Sequence, residues 1–322
     1  MFRKFFWSII FFFSLLLIAG ISLFVFHPVL PILEKETQQK LKEGKFFWEW
    51  QTEAHGPLAI HYVEKGTGPQ HIFFLHGFRS YSYTWKELIE PLAEKGYHVW
   101  AIDLVGYGLS DKPVEANYNI DFFVEQLHSF MNANGIKKAH LAGNSMGGGL
   151  ALSFALKHGH LVESLTLMNA LGYPMNLPLH NAFAKYLKRI SAKLIGTNMI
   201  RYGLEKIVYD TKLITDEKVQ AYCLPYMLPG GIEAAHLTLK NFENQQLIDM
   251  VKLYPTLKHP MLVIWGDHDT LIPVSYFEKF KKDFPHCQNL LIENCGHIPQ
   301  EEAPHVVLNA MIPFLKNNKS EK

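Results

Sequence analysis

Short apolar segments alternate with amphipathic segments along much of this 322-residue chain. Short apolar runs bounded by turn-forming residues are typical of buried strands, whereas apolar residues at helical spacing predict helices. The pattern predicts an edge strand at 58–63 and further strands at 71–75, 97–102, 138–141, 164–168, 261–265 and 289–293. It predicts helices at 85–95, 120–134 and 148–157, and others beginning at Val274 and Val306. This alternation predicts an α/β protein with a mainly parallel sheet covered on both faces by helices.

The alternation stops between residues 171 and 253, where only helix-like runs occur, at 182–194, 199–209, 217–222 and 232–244. We interpret this segment as a helical cap inserted into the sheet domain. We predict an N-terminal anchor with spacer at 1–45 and the first part of the core at 46–170. The cap follows at 171–253 and the second part of the core at 254–322. The apolar residues of the cap either line a binding pocket or form the cap's own core.

The N-terminus carries 22 consecutive uncharged residues, Phe5 to Phe26, directly after Arg3 and Lys4. As a helix this run would span about 33 Å, which is enough to cross the hydrocarbon core of a bilayer. A cleaved signal peptide is the alternative, but its apolar core is usually shorter and ends at a small-residue site. We therefore predict a single-pass membrane helix. The positive-inside rule places the N-terminus in the cytoplasm and the rest of the chain on the other side.

Charge and cysteine content exclude several classes of protein. The formal net charge of +1 gives no reason to expect a nucleic-acid partner. Three cysteines without a Cys-x-x-Cys pair are too few for a disulfide framework and do not indicate a zinc site, although one disulfide stays open. We expect neither a metal nor an organic cofactor.

The sequence Gly143-Asn144-Ser145-Met146-Gly147 lies between a predicted strand and a predicted helix. A strand-to-helix turn of this type is tight, so the residues two before and two after the serine must be small. The turn exposes the serine hydroxyl. Ser145 is therefore the candidate nucleophile.

A serine needs a base to take its proton and a third group to orient that base. His297 follows the last predicted strand and is the candidate base, while Asp269 follows the strand before it and is the candidate carboxylate. Asp267 is a rival two residues away that could instead cap a turn. Asp267, His268 and Asp269 could also suggest a metal site, but no second cluster supports one. The order serine, aspartate, histidine is the one expected on this architecture.

A developing oxyanion needs two backbone donors. Met146, directly after the nucleophile, supplies one N–H, and Phe78, in the loop after His76 and Gly77, is the candidate for the second. We also expect His76, Gly77 and Asn144 to contact the substrate.

Several motifs occur together in the order found in one family. They are His76-Gly77-Phe78, Asp103…Gly106-x-Gly108-x-Ser110, Gly143-x-Ser145-x-Gly147, Trp265-Gly266…Asp269…Pro273 and Gly296-His297. In these motifs the chain resembles the α/β-hydrolase family over roughly residues 46–316. The resemblance implies an eight-stranded, mostly parallel sheet with the active site beneath the cap. Serine at position 145 argues against the haloalkane dehalogenases and epoxide hydrolases of the family, whose nucleophile is an aspartate.

Within the family, the residues around Ser145 and His297 are most similar to the monoacylglycerol lipase and carboxylesterase branch. We therefore expect a membrane-tethered serine hydrolase of carboxylic esters, with lipid-like acyl esters as substrates. C–C bond hydrolysis or perhydrolysis on the same triad is one alternative. A binding protein without catalysis is another.

Overall fold

The computed structural model describes residues 29–175, 195–242 and 244–318. Its centre is an eight-stranded sheet with the strand order β1-β2-β4-β3-β5-β6-β7-β8. The strands are β1 (Phe46–Thr52), β2 (Gly56–Lys65), β3 (Gln70–Leu75), β4 (Tyr97–Ile102), β5 (Ala139–Asn144), β6 (Val162–Met168), β7 (Met261–Gly266) and β8 (Gln288–Ile292). The pairs β1–β2 and β2–β4 are antiparallel, and all other pairs are parallel. The predicted mostly parallel, eight-stranded sheet is confirmed.

The first strand of the sheet corrects one prediction. Residues 58–63 belong to β2, which lies between β1 and β4, so the prediction that they form an edge strand is wrong. The edge strand is β1, which begins with the consecutive aromatic residues Phe46, Phe47 and Trp48. Three aromatic residues in a row hide the two-residue alternation by which a half-buried strand is recognised.

Helices cover both faces of the sheet and occur in the described part of the segment between β6 and β7. They are α1 (Lys35–Lys42), α2 (Lys86–Glu94), α3 (Ile120–Ala133), α4 (Met146–His158), α5 (Thr197–Ile207), α6 (Asp216–Cys223), α7 (Gly231–Asn241), α8 (Asn244–Leu253), α9 (Ser275–Asp283), α10 (Pro299–Glu302) and α11 (Pro304–Asn317). The single helix predicted over 232–244 is wrong at its end, because the backbone becomes extended at Phe242 and a new helix begins at Asn244. The helix predicted at 182–194 lies outside the described residues.

Two hydrophobic clusters hold the core helices against the two faces of the sheet. Phe123 of α3, Leu150 of α4 and Phe280 of α9 belong to one cluster. Leu88 of α2 and Val307 of α11 belong to the other. Burying each such large apolar side chain stabilises the fold by about 1.5–3 kcal/mol, so the sheet is anchored on both sides. The loops at the carboxyl ends of its strands are thereby held in place.

A third cluster lies in the cap. It contains Ile200 and Leu204 of α5 and Val219 and Tyr222 of α6, so these apolar cap residues form a small core of their own. Leu30, in the predicted spacer, packs into the same cluster, and its N–H donates to the carbonyl of Ile195 at 2.9 Å. The described segment that precedes β1 is therefore bound to the cap at Leu30.

Two further sequence-based expectations concern the ends of the chain and its thiols. None of the helices within the described ranges is long and apolar enough to cross a membrane, and the predicted membrane helix at 5–26 lies outside those ranges.

Cys223, Cys287 and Cys295 are buried free thiols. The disulfide that the sequence left open does not form.

Candidate active site

Ser145 occupies the junction between β5 and α4. Its backbone has φ 54° and ψ −120°, a conformation that a residue with a side chain rarely adopts. Residues held in such sparsely populated conformations cluster at functional sites. Ser145 is half-buried, whereas Asn144 before it and Met146 after it are buried. The turn thus presents the Ser145 side chain at the end of a buried strand.

The glycines around Ser145 are required by close backbone contacts. A Cβ on Gly143 would lie 2.2 Å from the carbonyl oxygen of Gly147, and a Cβ on Gly147 would lie 1.9 Å from that of Leu75. Real Cβ atoms do not approach an oxygen so closely, so α4 can pack against β5 and β3 only because these positions carry no side chain. The steric reason for the Gly-x-Ser-x-Gly pattern is visible here.

His297 and Asp269 form a buried pair. Nδ1 of His297 lies 2.7 Å from Oδ2 of Asp269, and both side chains are almost fully shielded from solvent. Oδ1 of Asp269 accepts hydrogen bonds from the N–H groups of Leu271 and Ile272, which fixes the carboxylate. The rival Asp267 contacts His268 instead and is partly exposed. The geometry therefore pairs His297 with Asp269.

Asn169 is a site residue that the sequence reasoning missed. Its Nδ2 donates to Oδ2 of Asp269 at 2.7 Å, and its Oδ1 accepts from the N–H of Gly266 at 3.3 Å. Asn169 directly follows β6 and has φ 44°, which asparagine tolerates better than most residues. Its position at the carboxyl end of a strand was the available signal, since Asp269 and His297 also follow strands.

Glu302 holds the loop that carries His297. Its carboxylate accepts hydrogen bonds from the N–H groups of Gly296 and Ile298, on either side of His297, and from the N–H of Tyr209 at 2.7 Å. Burial raises the pKa of Glu302, against the lowering effect of these donors. No sequence pattern indicates this role, because Glu302 lies beyond the loop, in α10.

Asn144 connects Ser145 to the histidine loop. Its Nδ2 donates to the carbonyl of His297 at 2.9 Å and to that of Met168 at 3.1 Å. Both amide hydrogens are thus used within the protein, and the residue is buried. These contacts give Asn144 a positioning role, and its contact with the substrate stays a prediction.

His76 is held by hydrogen bonds at both ring nitrogens. Its Nε2 accepts a hydrogen bond from the N–H of Leu104 at 3.0 Å, so Nδ1 carries the proton and donates to the carbonyl of Gly77 at 2.8 Å. Burial lowers the pKa of His76, although Asp103 acts in the opposite direction. With both ring nitrogens bound and no exposed surface, His76 holds its loop, and its contact with the substrate stays a prediction.

Gly77 brings this loop against Ser145. A Cβ on Gly77 would lie 3.1 Å from Cβ of Ser145 and 3.2 Å from Oδ1 of Asn144. Phe78, the next residue, is half-buried, with its ring 6.4 Å from that of Tyr107. Met146 is the first residue of α4, where the N–H has no partner within the helix. The two candidate oxyanion donors therefore belong to segments that meet beside Ser145.

A buried aspartate behind this loop was also not predicted. Oδ1 of Asp103 accepts from the N–H of Ser82 at 2.7 Å, and Oδ2 contacts Nδ1 of His61 at 2.7 Å and the N–H of Leu109 at 2.8 Å. Burial acts to raise the pKa of Asp103, but His61, His76 and the Leu109 N–H outweigh it and bring this pKa to about 2. Asp103 is ionised and joins strand β2 to the segments that contain Ser82 and Leu109.

The cap covers the site through polar contacts. The hydroxyl of Tyr107 donates to Oγ1 of Thr238 in α7 at 2.7 Å, and Nε of Arg79 donates to the Tyr226 hydroxyl at 2.5 Å. Oε2 of Glu301 lies 2.9 Å from Nζ of Lys218 in α6.

Within 29–175, 195–242 and 244–318, no group of three or more His, Cys, Asp or Glu side chains could hold a metal ion.

The same arrangement of loops occurs in known proteins. The family model described as alpha/beta hydrolase fold matches residues 70–200 and 220–304. The chain belongs to this family. It is 30% identical over 265 residues to "Lipase 1" of Psychrobacter immobilis, an alignment that covers 78% of each protein.

Two further similarities point to different activities within the family. Over 265 residues the chain is 29% identical to a 2-hydroxy-6-oxononadienedioate/2-hydroxy-6-oxononatrienedioate hydrolase of Burkholderia vietnamiensis, covering 80% of this chain and 91% of that protein. Among solved structures, a membrane phospholipase A described as a bacterial virulence factor superposes with a TM-score of 0.66 at 25% identity. That similarity covers 97% of this chain and 99% of the other. The family and a hydrolase activity are thereby shown.

Proposed function

We propose that the chain is a serine hydrolase of carboxylic esters that acts through Ser145, His297 and Asp269. The observation that carries this proposal is the strained Ser145 at the β5–α4 junction, tied through Asn144 to a loop whose histidine is paired with Asp269. A serine, a histidine and a carboxylate in this relation are the groups that acyl transfer requires.

The geometry supports a specific sequence of proton transfers. Because Nδ1 of His297 donates to Asp269, Nε2 is the unprotonated nitrogen and can take the hydroxyl proton as Ser145 attacks the ester carbonyl. The N–H groups of Met146 and Phe78 stabilise the oxyanion that forms. His297 then protonates the leaving alcohol, and a water molecule activated by the same nitrogen releases the acid and restores Ser145.

Lipid-like acyl esters are the substrates we propose, with the protein tethered to a membrane by residues 5–26 and the catalytic domain on the non-cytoplasmic side. The support is the uncharged N-terminal run, the similarity to a lipase, and the 97% coverage by a membrane phospholipase A. A tethered enzyme meets lipids at high local concentration. Full-length protein that leaves the membrane fraction in an alkaline carbonate wash would contradict the tether.

Hydrolysis of a C–C bond is a second candidate, favoured by the 29% identity to the Burkholderia hydrolase. The same serine, histidine and aspartate would serve both reactions. The two proposed activities predict different preferred substrates, and the substrate with the higher kcat/KM decides between them. The comparison substrate is 2-hydroxy-6-oxononadienedioate, for which that relative is named.

The test is the hydrolysis of p-nitrophenyl esters from acetate to palmitate by the wild-type protein and by Ser145→Ala. We expect turnover to depend on Ser145 and to be highest for medium or long chains. A maximum at acetate would contradict the lipid substrate but not the esterase. If kcat/KM is higher for the dienedioate than for every ester, the C–C reaction replaces the ester reaction as the proposed function.

A further inference from the structure

Arg79 is an arginine in an unusual place. It follows Phe78, a candidate oxyanion donor, and its backbone has φ 64°, in the left-handed region that favours glycine. Two residues span at most about 7 Å, so the Arg79 backbone lies close to Gly77, whose Cβ position is 3.1 Å from Cβ of Ser145. The residue that carries this charged side chain therefore has a strained backbone, two positions from the glycine that packs against the candidate nucleophile.

Within the described residues the guanidinium group of Arg79 has no acidic partner. Its Nε donates to the Tyr226 hydroxyl at 2.5 Å, and its Cζ lies 5.1 Å from the centre of the Tyr226 ring. Across the described parts of the chain no carboxylate forms an ion pair with it. By contrast, Arg201 of the cap donates to Asp216 and to the carbonyl of Ile214.

The contact with Tyr226 orients the guanidinium group but occupies only one of its nitrogens, Nε. Tyr226 is buried in the cap cluster, whereas Arg79 as a residue is exposed. The contact uses Nε, and among the described residues neither terminal nitrogen of Arg79 forms a hydrogen bond. The parallel N–H groups of an arginine match the paired oxygens of a carboxylate or a phosphate. A cation without a counter-ion at the core–cap boundary is suited to bind such an anion.

We propose that Arg79 binds an anionic oxygen group of the substrate, a carboxylate or a phosphate, close to the ester carbonyl. The proposal rests on the ester hydrolysis proposed above and narrows its substrates to esters that carry a negative charge. Either half of the ester can supply the charge. A dicarboxylic half-ester carries it on the acyl part, and a lysophosphatidic acid carries it on the alcohol part.

Two matched pairs of substrates test the proposal. One pair is p-nitrophenyl butyrate and the mono-p-nitrophenyl ester of glutarate, and the other is a monoacylglycerol and the lysophosphatidic acid with the same acyl chain. The measured quantity is the ratio of kcat/KM for the charged ester to that for the neutral ester. We expect this ratio to exceed one for at least one pair in the wild-type protein and to fall on the order of tenfold in Arg79→Gln. The pair that responds identifies the source of the charge.

Three variants separate anion binding from other roles of Arg79. Arg201→Gln removes the same charge from a paired arginine of the cap and should leave the ratio unchanged. Arg79→Lys keeps the charge but loses the paired donors, so its ratio should lie between those of the wild type and Arg79→Gln. If Arg79 only holds the cap, Arg79→Gln and Tyr226→Phe will slow both esters of a pair equally, and the unchanged ratio would overturn the proposal.

The outcome remains decisive if a variant or the proposed reaction fails. If Arg79→Gln does not fold, a wild-type ratio of one or less for both pairs overturns the proposal. If no ester is hydrolysed in a Ser145-dependent way, the proposed function fails separately. Calorimetric binding to Ser145→Ala then decides about Arg79: tighter binding of lysophosphatidic acid than of monoacylglycerol supports it, and equal binding overturns it.

Discussion

At the scale of single residues, the loop after β7 shows how two similar side chains acquire different environments. Asp269 is buried against His297 and Asn169, whereas Asp267 is partly exposed and contacts His268 and the N–H of Cys295. A carboxylate can fix the tautomer of a histidine only through a direct hydrogen bond. Of the two aspartates, Asp269 alone has this contact with His297.

The two aspartates make a matched pair for mutagenesis. We expect Asp269→Asn to lower kcat by roughly 10³–10⁴-fold, because an amide that donates to Nδ1 places the proton on Nε2, where the base is needed. Asp267→Asn is the control and should change kcat by no more than a few-fold. Steady-state kinetics on the best ester measures both, and the reverse ranking would assign the carboxylate role to Asp267.

At the scale of secondary-structure elements, the site depends on how closely α4 approaches the sheet. Gly147, in the first turn of α4, lies against the carbonyl oxygen of Leu75 at the end of β3. The approach places the first turn of the helix, with the N–H of Met146, beside the loop that contains Gly77 and Phe78. The packing of one helix on the sheet therefore also sets the position of one candidate oxyanion donor.

Alanine substitutions at two helical glycines test this dependence. Gly147→Ala would place a Cβ 1.9 Å from the oxygen of Leu75, so we expect a loss of roughly 2–3 kcal/mol in the free energy of unfolding, together with lower kcat. Gly203→Ala, in α5, is the control. Apart from its chain neighbours and the backbone of its own helix, no atom of the described residues lies within 4 Å of the added Cβ, and alanine should stabilise this exposed helical position by about 0.5–1 kcal/mol. Urea unfolding measures both, and a harmless Gly147→Ala would show that α4 can move away from β3.

At the scale of the whole molecule, buried charges link segments that are distant in the sequence. Asp103 joins His61 of β2, the N–H of Ser82 and the N–H of Leu109, and Glu301 joins the core to Lys218 of the cap. The pKa of Asp103 is about 2, below the value near 3.9 of an unfolded aspartate. A carboxyl group whose pKa is lower in the folded than in the unfolded protein stabilises the fold at pH values above its pKa in the unfolded protein. This contribution is lost as the pH falls from about 4 to 2.

The stabilisation by Asp103 can be measured as a difference between two proteins. At pH 6 we expect wild type to be more stable than Asp103→Asn, and we expect this advantage to shrink by about 1 kcal/mol at pH 3. Asp121→Asn, which removes a carboxylate paired with Lys157 on the surface, controls for the loss of one negative charge. Urea unfolding at the two pH values gives the comparison. An advantage that is equal at both would mean that Asp103 is not held ionised by its neighbours.

Features that depend on neighbouring residues follow from the amino-acid sequence alone. The apolar runs located β2 to β8 to within a few residues, and the spacing of Gly143, Ser145 and Gly147 located the turn, because strands and tight turns are formed by consecutive residues. Edge strand β1 was not predicted, because its consecutive aromatic residues obscure the alternation of apolar and polar positions. The motifs were sufficient to identify the family and its sheet.

Contacts between side chains that are distant in the sequence depend on the tertiary fold. Asn169 and Glu302 contact the Asp269–His297 site, Asn144 and His76 use their donors within the protein, and Arg79 meets the cap at Tyr226. These contacts join residues up to 153 positions apart, and no local pattern of polarity encodes such a distance. They arise because parallel strands end at the same edge of the sheet, where the cap then closes over the loops.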